Sequence, residues 1–284
     1  MPRVTVGVPV YNGGLLLRES LECLRTQSFE DFVVVMSDNA STDATGDICA
    51  EYAARDPRFV HRRRAETVPA VRNFQDLCDA AKTELFLWRA HDDLSAPDYL
   101  ERLVALFDEG PQVALAVGSV RSIRTDGSKE RLYAPPARRG GVAGLWARLF
   151  GSHASWIYGL WRADAIRAAY AEAAARYDHA WAQDHLILLP FLLDDAVRWD
   201  ASAVFLQRMV DDPAKAPPRR PTHAEMSGLR AAYAAAAADH VAARRWSPAE
   251  RLALGVLMPF YVDRRCYSRI KLARMAVRER LGLT

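Results

Sequence analysis

Two adjacent carboxylates, Asp92 and Asp93, close the mostly apolar run Phe86-Leu87-Trp88-Arg89-Ala90-His91. A strand that leaves a core and stops on two acids sets like charges side by side. Their repulsion is relieved by protonation, by water or by a bound cation. The same dipeptide recurs at Asp194-Asp195 and Asp211-Asp212, so the pair itself is not the signal. Position is: in an open α/β sheet, ligands sit at the carboxyl ends of strands.

Two more strand ends carry polar groups of the right kind. The first apolar run, 4–8, leads into Pro9-Val10-Tyr11-Asn12, and the second, 32–36, leads into Ser37-Asp38-Asn39-Ala40-Ser41-Thr42-Asp43. Neither turn is a dinucleotide or phosphate loop, because Gly7, Gly13 and Gly14 fit neither glycine spacing. An aromatic ring beside a carboxylate and amides suits a nucleobase and ribose: the ring stacks, and the carboxylate accepts from base N–H or ribose hydroxyls. Asn, Asp and Ser also serve turns and helix caps for local reasons, and one turn alone does not separate the two uses.

The elements that must position these groups are readable. Helical spacing follows the first strand over 15–25, with Leu17, Leu21 and Leu24 on one face. A helix is expected over 44–55, a weaker strand at 59–63 and a helix near 69–82 that turns Phe74, Leu77, Cys78 and Ala81 to the core. A fourth strand at 85–88 and a helix started by Pro97 complete the series. Strands alternating with helices imply βαβ units and a mostly parallel sheet. The run 113–117 continues the pattern, and a hairpin turn at 124–128 makes the second half mixed or antiparallel.

The chain has 284 residues, half of them hydrophobic and 26% charged, which suits a folded domain with an appendage. A net charge of +3 gives no reason to invoke nucleic acid. Cys23, Cys49, Cys78 and Cys266 show no zinc spacing and read as reduced, mostly buried thiols. The first residues read as a strand, so no signal peptide is expected, and the longest apolar stretches, 186–193 and 252–262, are too short to cross a bilayer. The expected location is cytoplasmic.

Taken together, the three strand ends resemble those of the GT-A fold glycosyltransferases of family 2. That family opens with a strand and P-x-Y-N, follows with D-x-S-x-D, and reaches D-x-D or x-D-D after the fourth strand; the matching stretches here are 4–12, 37–45, Val71-Arg72-Asn73 and 86–100. The resemblance covers roughly residues 4–208. It implies an α/β, Rossmann-like GT-A fold: a mostly parallel mixed sheet flanked by helices, with a C-terminal helical extension. The expected division is a nucleotide-sugar-binding and catalytic domain over 1–210, a proline-rich linker or lid over 211–221 and helices over 222–284.

The activity implied is inverting, metal-dependent transfer of a sugar from a nucleotide-sugar donor, a UDP-sugar first of all, to an acceptor hydroxyl. Bacterial polysaccharide or glycoconjugate biosynthesis is the implied setting, with a glycan, a lipid-linked molecule or a peptide as acceptor. Pro9, Tyr11, Asn12, Asp38, Asn39, Arg72, His91 and Asp92 would bind the nucleotide. Asp92, with Asp93 beside it, would meet a divalent metal, Mn²⁺ or Mg²⁺, on the donor diphosphate. Trp156, Tyr158 and Gly159 match the segment leading to the acceptor side, and Asp184 takes the place of the catalytic base. Four positions depart from the pattern. Ala90 replaces an acid, His91 fills the middle of the motif, Gln183 stands where a Glu precedes Asp184, and Val210 replaces a His after Arg208. These departures lower the expected metal affinity and keep open a GT-A module that binds nucleotide or a partner protein without turnover. A sugar-phosphate nucleotidyltransferase is disfavoured, since no glycine-rich, arginine-containing loop follows the first strand.

Over 262–280, Val262, Cys266, Ile270, Ala273 and Val277 form a stripe at helical spacing, opposite Arg264, Arg265, Arg269, Arg274 and Arg278. Such a helix either packs its stripe on the domain and solvates the rest, or serves a peripheral contact with the inner membrane face, or pairs in a homodimer.

Overall fold

Valine-rich runs build the centre of the sheet. The structure is a computed structural model that describes residues 1–124, 130–209 and 221–282. Every residue of β1 (Val4–Val10) is buried, as are nearly all of β2 (Phe32–Asp38) and all of β4 (Leu85–Trp88). Burial on both faces is what near-continuous apolar strands require of a parallel sheet. Between them come α1 (Gly14–Arg25), α2 (Thr45–Arg55), β3 (Phe59–Arg63) and α3 (Ala70–Ala80). The α1 face that buries Leu17, Leu21 and Leu24 is the one its leucine spacing predicts.

The second half is mixed. A two-residue strand, β5 (Leu94–Ser95), follows the acidic pair and precedes α4 (Tyr99–Ala105). Pro97 therefore lies ahead of α4, whose N-cap is Asp98, and not in its first turn. Then come β6 (Leu115–Arg124), β7 (Glu130–Tyr133), α5 (Gly141–Gly151), β8 (Leu160–Arg162), α6 (Ala163–Arg176), α7 (Gln183–Leu193) and β9 (Val197–Met209). The sheet order is β3-β2-β1-β4-β8-β6-β9-β5, with β7 on β6. Pairings among β1 to β4 and between β6 and β9 are parallel; the others are antiparallel. The hairpin expected at 124–128 fits the β6–β7 pairing, although 125–129 lie outside the described residues. Gly118 marks an irregularity in the β6–β9 register: a Cβ there would lie 2.0 Å from the carbonyl oxygen of Ala203.

The chain forms two compact units. One comprises Met1–Pro135, Ser155–Tyr170 and 196–209 and holds the sheet; the other comprises Pro136–Ala154, Ala171–Asp195 and 221–282 and is helical. In the helical unit α7 carries Leu186, Leu188, Leu189, Leu192 and Leu193 entirely inside. It packs with α5 and with α8 (His223–Ala242), while α9 (Pro248–Arg265) joins α5 and α8. Capping boxes start α8 at Thr222 and Glu225 and α9 at Ser247 and Glu250.

The single amphipathic helix expected over 262–280 is two helices. The first ends at Arg265, and Ser268 caps α10 (Arg269–Arg280) by accepting the Lys271 N–H. Val262 and Cys266 are buried, but Ile270, Ala273 and Val277 are exposed, so the break splits the stripe between inside and outside. Arg265, expected on the solvated face, lies largely inside and donates to the carbonyls of Leu149 and Ser152. Cys49, Cys78 and Cys266 are buried free thiols, and Cys23 is half-buried. The linker expected over 211–221 falls outside the described residues except for Pro221.

Candidate functional site

Parallel pairing sets Val10 opposite Asp38, so the turns after β1 and β2 share one edge of the sheet. They are laced together through the backbone. Asn12 N–H donates to Ser41 Oγ at 3.0 Å, Asn12 Oδ1 accepts the Thr42 N–H at 2.9 Å, and Gly13 N–H donates to Thr45 Oγ1 at 2.8 Å. Asn12 and Ala40 both sit at positive φ, 51° and 59°. Asparagine tolerates that conformation; alanine adopts it only where surrounding bonds impose it. Pro9 is buried, and Tyr11 leaves about half its surface, 49%, exposed at this edge.

Asp38 has no exposed surface. Its Oδ1 accepts the Ser41 N–H at 2.8 Å and its Oδ2 accepts Arg63 Nη1 at 2.7 Å, with His61 Nε2 3.8 Å away. Arg63 also donates to the Ser41 carbonyl at 2.7 Å, so one guanidinium spans the ends of β2 and β3. Asn39 is buried, and its amide donates to the Val68 carbonyl at 2.8 Å and accepts the Val68 N–H at 2.9 Å. It pins the β3–α3 connection. Arg72, next to that connection, is exposed and pairs with Asp76 at 2.7 Å.

The β4 end comes to the same edge, since β4 pairs with β1 and the Arg89 N–H donates to the Gly7 carbonyl at 2.9 Å. The His91 ring lies over the first turn: a Cβ on Gly13 would be 3.0 Å from His91 Cδ2 and 2.7 Å from Val10 Cγ2. Asp92 is half-buried and Asp93 is buried. Asp93 Oδ1 accepts the backbone N–H of Arg208 at 2.8 Å. Burial, with the neighbouring charge of Asp92, pushes the Asp93 carboxyl up to about 7, against the opposing pull of that N–H and of Arg89. The Arg208 guanidinium donates to the Asp92 carbonyl, to Glu19, and to the Leu16 carbonyl at 3.1 Å, tying the acidic turn to the start of α1.

Arg89 is wholly buried behind this turn. Its Nη2 donates to Ser95 Oγ at 2.8 Å, and its guanidinium lies 5.5 Å from the Phe205 ring centre; Nε and Nη1 have no hydrogen-bond partner among the described residues. Tyr158 stacks on the same Phe205 ring with centroids 5.7 Å apart. Trp156 is buried against Trp199, and a Cβ on Gly159 would meet the Ala116 carbonyl at 2.6 Å. Of the three acceptor-side candidates, Tyr158 alone keeps partial exposure; Trp156 and Gly159 are packing positions.

In the helical unit Asp184 lies in the first turn of α7, two residues after the N-cap Ala182 at φ 61°, and its Oδ1 accepts the His185 N–H at 2.8 Å. Burial raises its pKa above the ordinary aspartate value, offset in part by the His185 N–H and then by Arg265. Burial with the Arg265 charge drives the His185 imidazole down to about 3, and His153 falls to about 4 for the same reasons. Tyr261 O–H fastens the segment by donating to the His185 carbonyl at 3.0 Å.

The first unit thus brings together Pro9, Tyr11, Asn12, Asp38, His91, Asp92 and Asp93, whereas Asp184 belongs to the second. Sequence reasoning missed Arg63 and Arg89, and met Arg208 only as the start of a motif that lacks its His. Arg63 had a signal, since a strand ending His61-Arg62-Arg63 beside one ending in Asp invites a pair. Among the described residues no three His, Cys, Asp or Glu side chains are grouped to hold a metal unaided. Val210 lies outside the described residues.

The glycosyl transferase family 2 model matches residues 5–159. An uncharacterized protein of Mycobacterium tuberculosis is 35% identical over 153 residues, covering 52% of this chain and 44% of that protein. Glycosyltransferase GlyA of Streptococcus pneumoniae is 32% identical over 121 residues, covering 42% of this chain and 17% of its own length. The matched stretch therefore spans less than half of these curated relatives. S. aureus TarS residues 1–349, solved with UDP-GlcNAc, superimposes with a TM-score of 0.62 at 14% identity, covering 99% of this chain and 92% of that one. A mannosyltransferase of Pyrobaculum calidifontis, solved with GDP-Man and Mn²⁺, does so with a TM-score of 0.52 at 19% identity, covering 98% and 86%.

Proposed function

The chain belongs to glycosyl transferase family 2, and from that premise we propose that it is an inverting, divalent-metal-dependent glycosyltransferase using a UDP-sugar. The observation that carries the reading is the meeting of Tyr11, Asp38 and the Asp92-Asp93 turn at one edge of the β1, β2 and β4 strand ends. Tyr11 offers a stacking face to the base, and the half-exposed Arg63, held in place by the buried Asp38, offers a donor to its edge. Arg72 lies ready to exchange Asp76 for a phosphate.

The donor set suits a hard cation that keeps most of its ligands from elsewhere. Asp92 is half-exposed and Asp93 has one oxygen engaged, so the chain supplies one or two carboxylate oxygens and leaves the rest to the diphosphate and water. A bound Mn²⁺ or Mg²⁺ would neutralise charge on the departing nucleoside diphosphate. Asp184 is the proposed base: the acceptor oxygen bonds to the anomeric carbon, the bond to the diphosphate breaks, and the hydroxyl proton passes to Asp184. A glycan, lipid-linked or peptide acceptor in bacterial polysaccharide or glycoconjugate synthesis fits this chemistry, and an acceptor held at the inner membrane face would give the basic α10 a use.

A second reading, a module that binds nucleotide without turnover, draws support from Ala90, Gln183 and the short metal ligand set. Calorimetry with UDP, with and without Mn²⁺, followed by donor hydrolysis decides between them. Metal-dependent UDP binding with turnover upholds the enzyme, and binding without turnover upholds the module.

A further inference from the structure

α10 turns its apolar stripe outward. Ile270, Val277 and, just past its end, Leu281 are 66%, 55% and 66% exposed, and no residue of the helix is buried. The helix is held by its other side, where Met275 accepts a hydrogen bond from Tyr267. Five basic residues against Glu279 give the helix a charge of +4 (5 − 1). Glu279 is turned away, accepting the His223 N–H at the start of α8 at 2.6 Å. Arg274, Arg278 and Arg280 flank the stripe with no ion pair among the described residues.

The surface continues onto α9. Arg269 lies 6.0 Å over the Phe260 ring, and Phe260 follows Val256 and Leu252 at four-residue spacing, each at least 55% exposed. Beside them α5 and α9 border an apolar groove of about 740 Å³ edged by Trp146 and Arg139. Scattered exposed apolar residues are ordinary, but a stripe in register between unpaired arginines is not.

Charge decides the occupant. A two-fold pairing of α10 with a second copy would set +4 against +4. A nucleic-acid backbone would use the arginines and leave the aliphatic stripe in water. An anionic lipid leaflet uses both: arginines meet headgroup phosphates while aliphatic side chains and Phe260 enter the acyl boundary. No helix among the described residues is long and apolar enough to cross a membrane. We propose that α10, with the Phe260 edge of α9, docks this protein on the surface of an anionic bilayer. As an account of how an acceptor is met, the proposal rests on the glycosyltransferase reading; as an account of binding, it stands on the surface alone.

The test is sedimentation of the full chain with vesicles of phosphatidylcholine alone and of phosphatidylcholine with phosphatidylglycerol. Binding is expected to the mixed vesicles only and to weaken with salt. Ile270→Ser with Val277→Ser, and separately Arg274→Glu with Arg278→Glu, are each expected to lower it by roughly tenfold or more, with unchanged melting. Equal binding to both vesicles, no binding, or full binding by the serine variant overturns the proposal. So does a dimer in light scattering that the serine variant dissolves while vesicles remain unbound. Donor hydrolysis in solution is followed in parallel. Vesicle binding without hydrolysis counts against the transferase alone, and hydrolysis without vesicle binding against the docking alone.

Discussion

The main-chain N–H of Arg208 donates to Oδ1 of Asp93 at 2.8 Å, joining the end of β9 to the acidic turn after β4. That bond gives two neighbouring carboxylates different work. Asp93 is spent inside, as an acceptor that fixes the turn, and Asp92 stays half-buried while its carbonyl is gripped by the Arg208 side chain.

Asp92→Ala is accordingly expected to abolish the Mn²⁺ dependence of UDP binding in calorimetry and to lower turnover by roughly 10²–10³-fold, with little change in melting. Asp93→Asn keeps an oxygen for Arg208 and should hold UDP affinity within a few-fold. The reverse ranking would assign the metal to Asp93.

The Asp38–Arg63 pair is buried at one partner and 49% exposed at the other. Removing Arg63 strands a buried carboxylate, so Arg63→Ala should destabilise more than Asp38→Asn with Arg63→Ala together. Screening at Arg63 reduces the effect, and a double-mutant cycle by urea unfolding should give a coupling of about 1–3 kcal/mol. A coupling near zero would mean that the pair does not hold the β2 and β3 ends together.

Asp184→Asn should lower kcat by roughly 10²–10⁴-fold while leaving the donor KM nearly unchanged. A base works deprotonated, so wild-type turnover should rise with pH through a pKa above the ordinary aspartate value, the direction in which burial moves Asp184. That limb should vanish in the asparagine variant; its persistence would assign the base elsewhere.

His185 and His153 are held neutral, at about 3 and about 4, whereas an unfolded chain protonates histidine near 6.5. The unfolded state then binds more protons below that value, so stability falls as pH drops from about 6.5 toward the folded values. His185 alone corresponds to a loss on the order of 4 kcal/mol over that window. His185→Asn should flatten the fall in thermal midpoint between roughly pH 6.5 and 4.5, and an unchanged slope would remove His185 as its source.

How much of this was legible follows from what each residue type announces. Valine runs and leucine spacing announced β1, β2, β4 and α1, because a twice-buried strand and a core-facing helix need those patterns. The strand Leu94–Ser95 announced nothing, since two residues carry no period and its partner, Leu206-Phe205, is far along the chain. Acids at strand ends were legible by position, because those ends fall at the carboxyl side of strands that the pattern already placed in one sheet. Arg89 was not, and neither was the grip of Arg208 on the acidic turn, because nothing in an arginine's neighbours says which one folds inward. The break at Cys266 had a readable sign in Ser268, a capping residue, but the continuous stripe concealed it.

The alternation of the chain between its two units bears on how such a protein can be altered by recombination. Each unit is assembled from three separate stretches, and α7, with every leucine inside, is neither first nor last among those of the helical unit. A single crossover with a relative would therefore never transplant one unit whole; it would splice foreign helices against native ones and expose the leucines of α7. Working chimeras should require exchanges bounded near residues 136, 154, 171, 195 and 211 at once. Novelty in this architecture is then expected to arrive by point substitution more readily than by the swapping of modules.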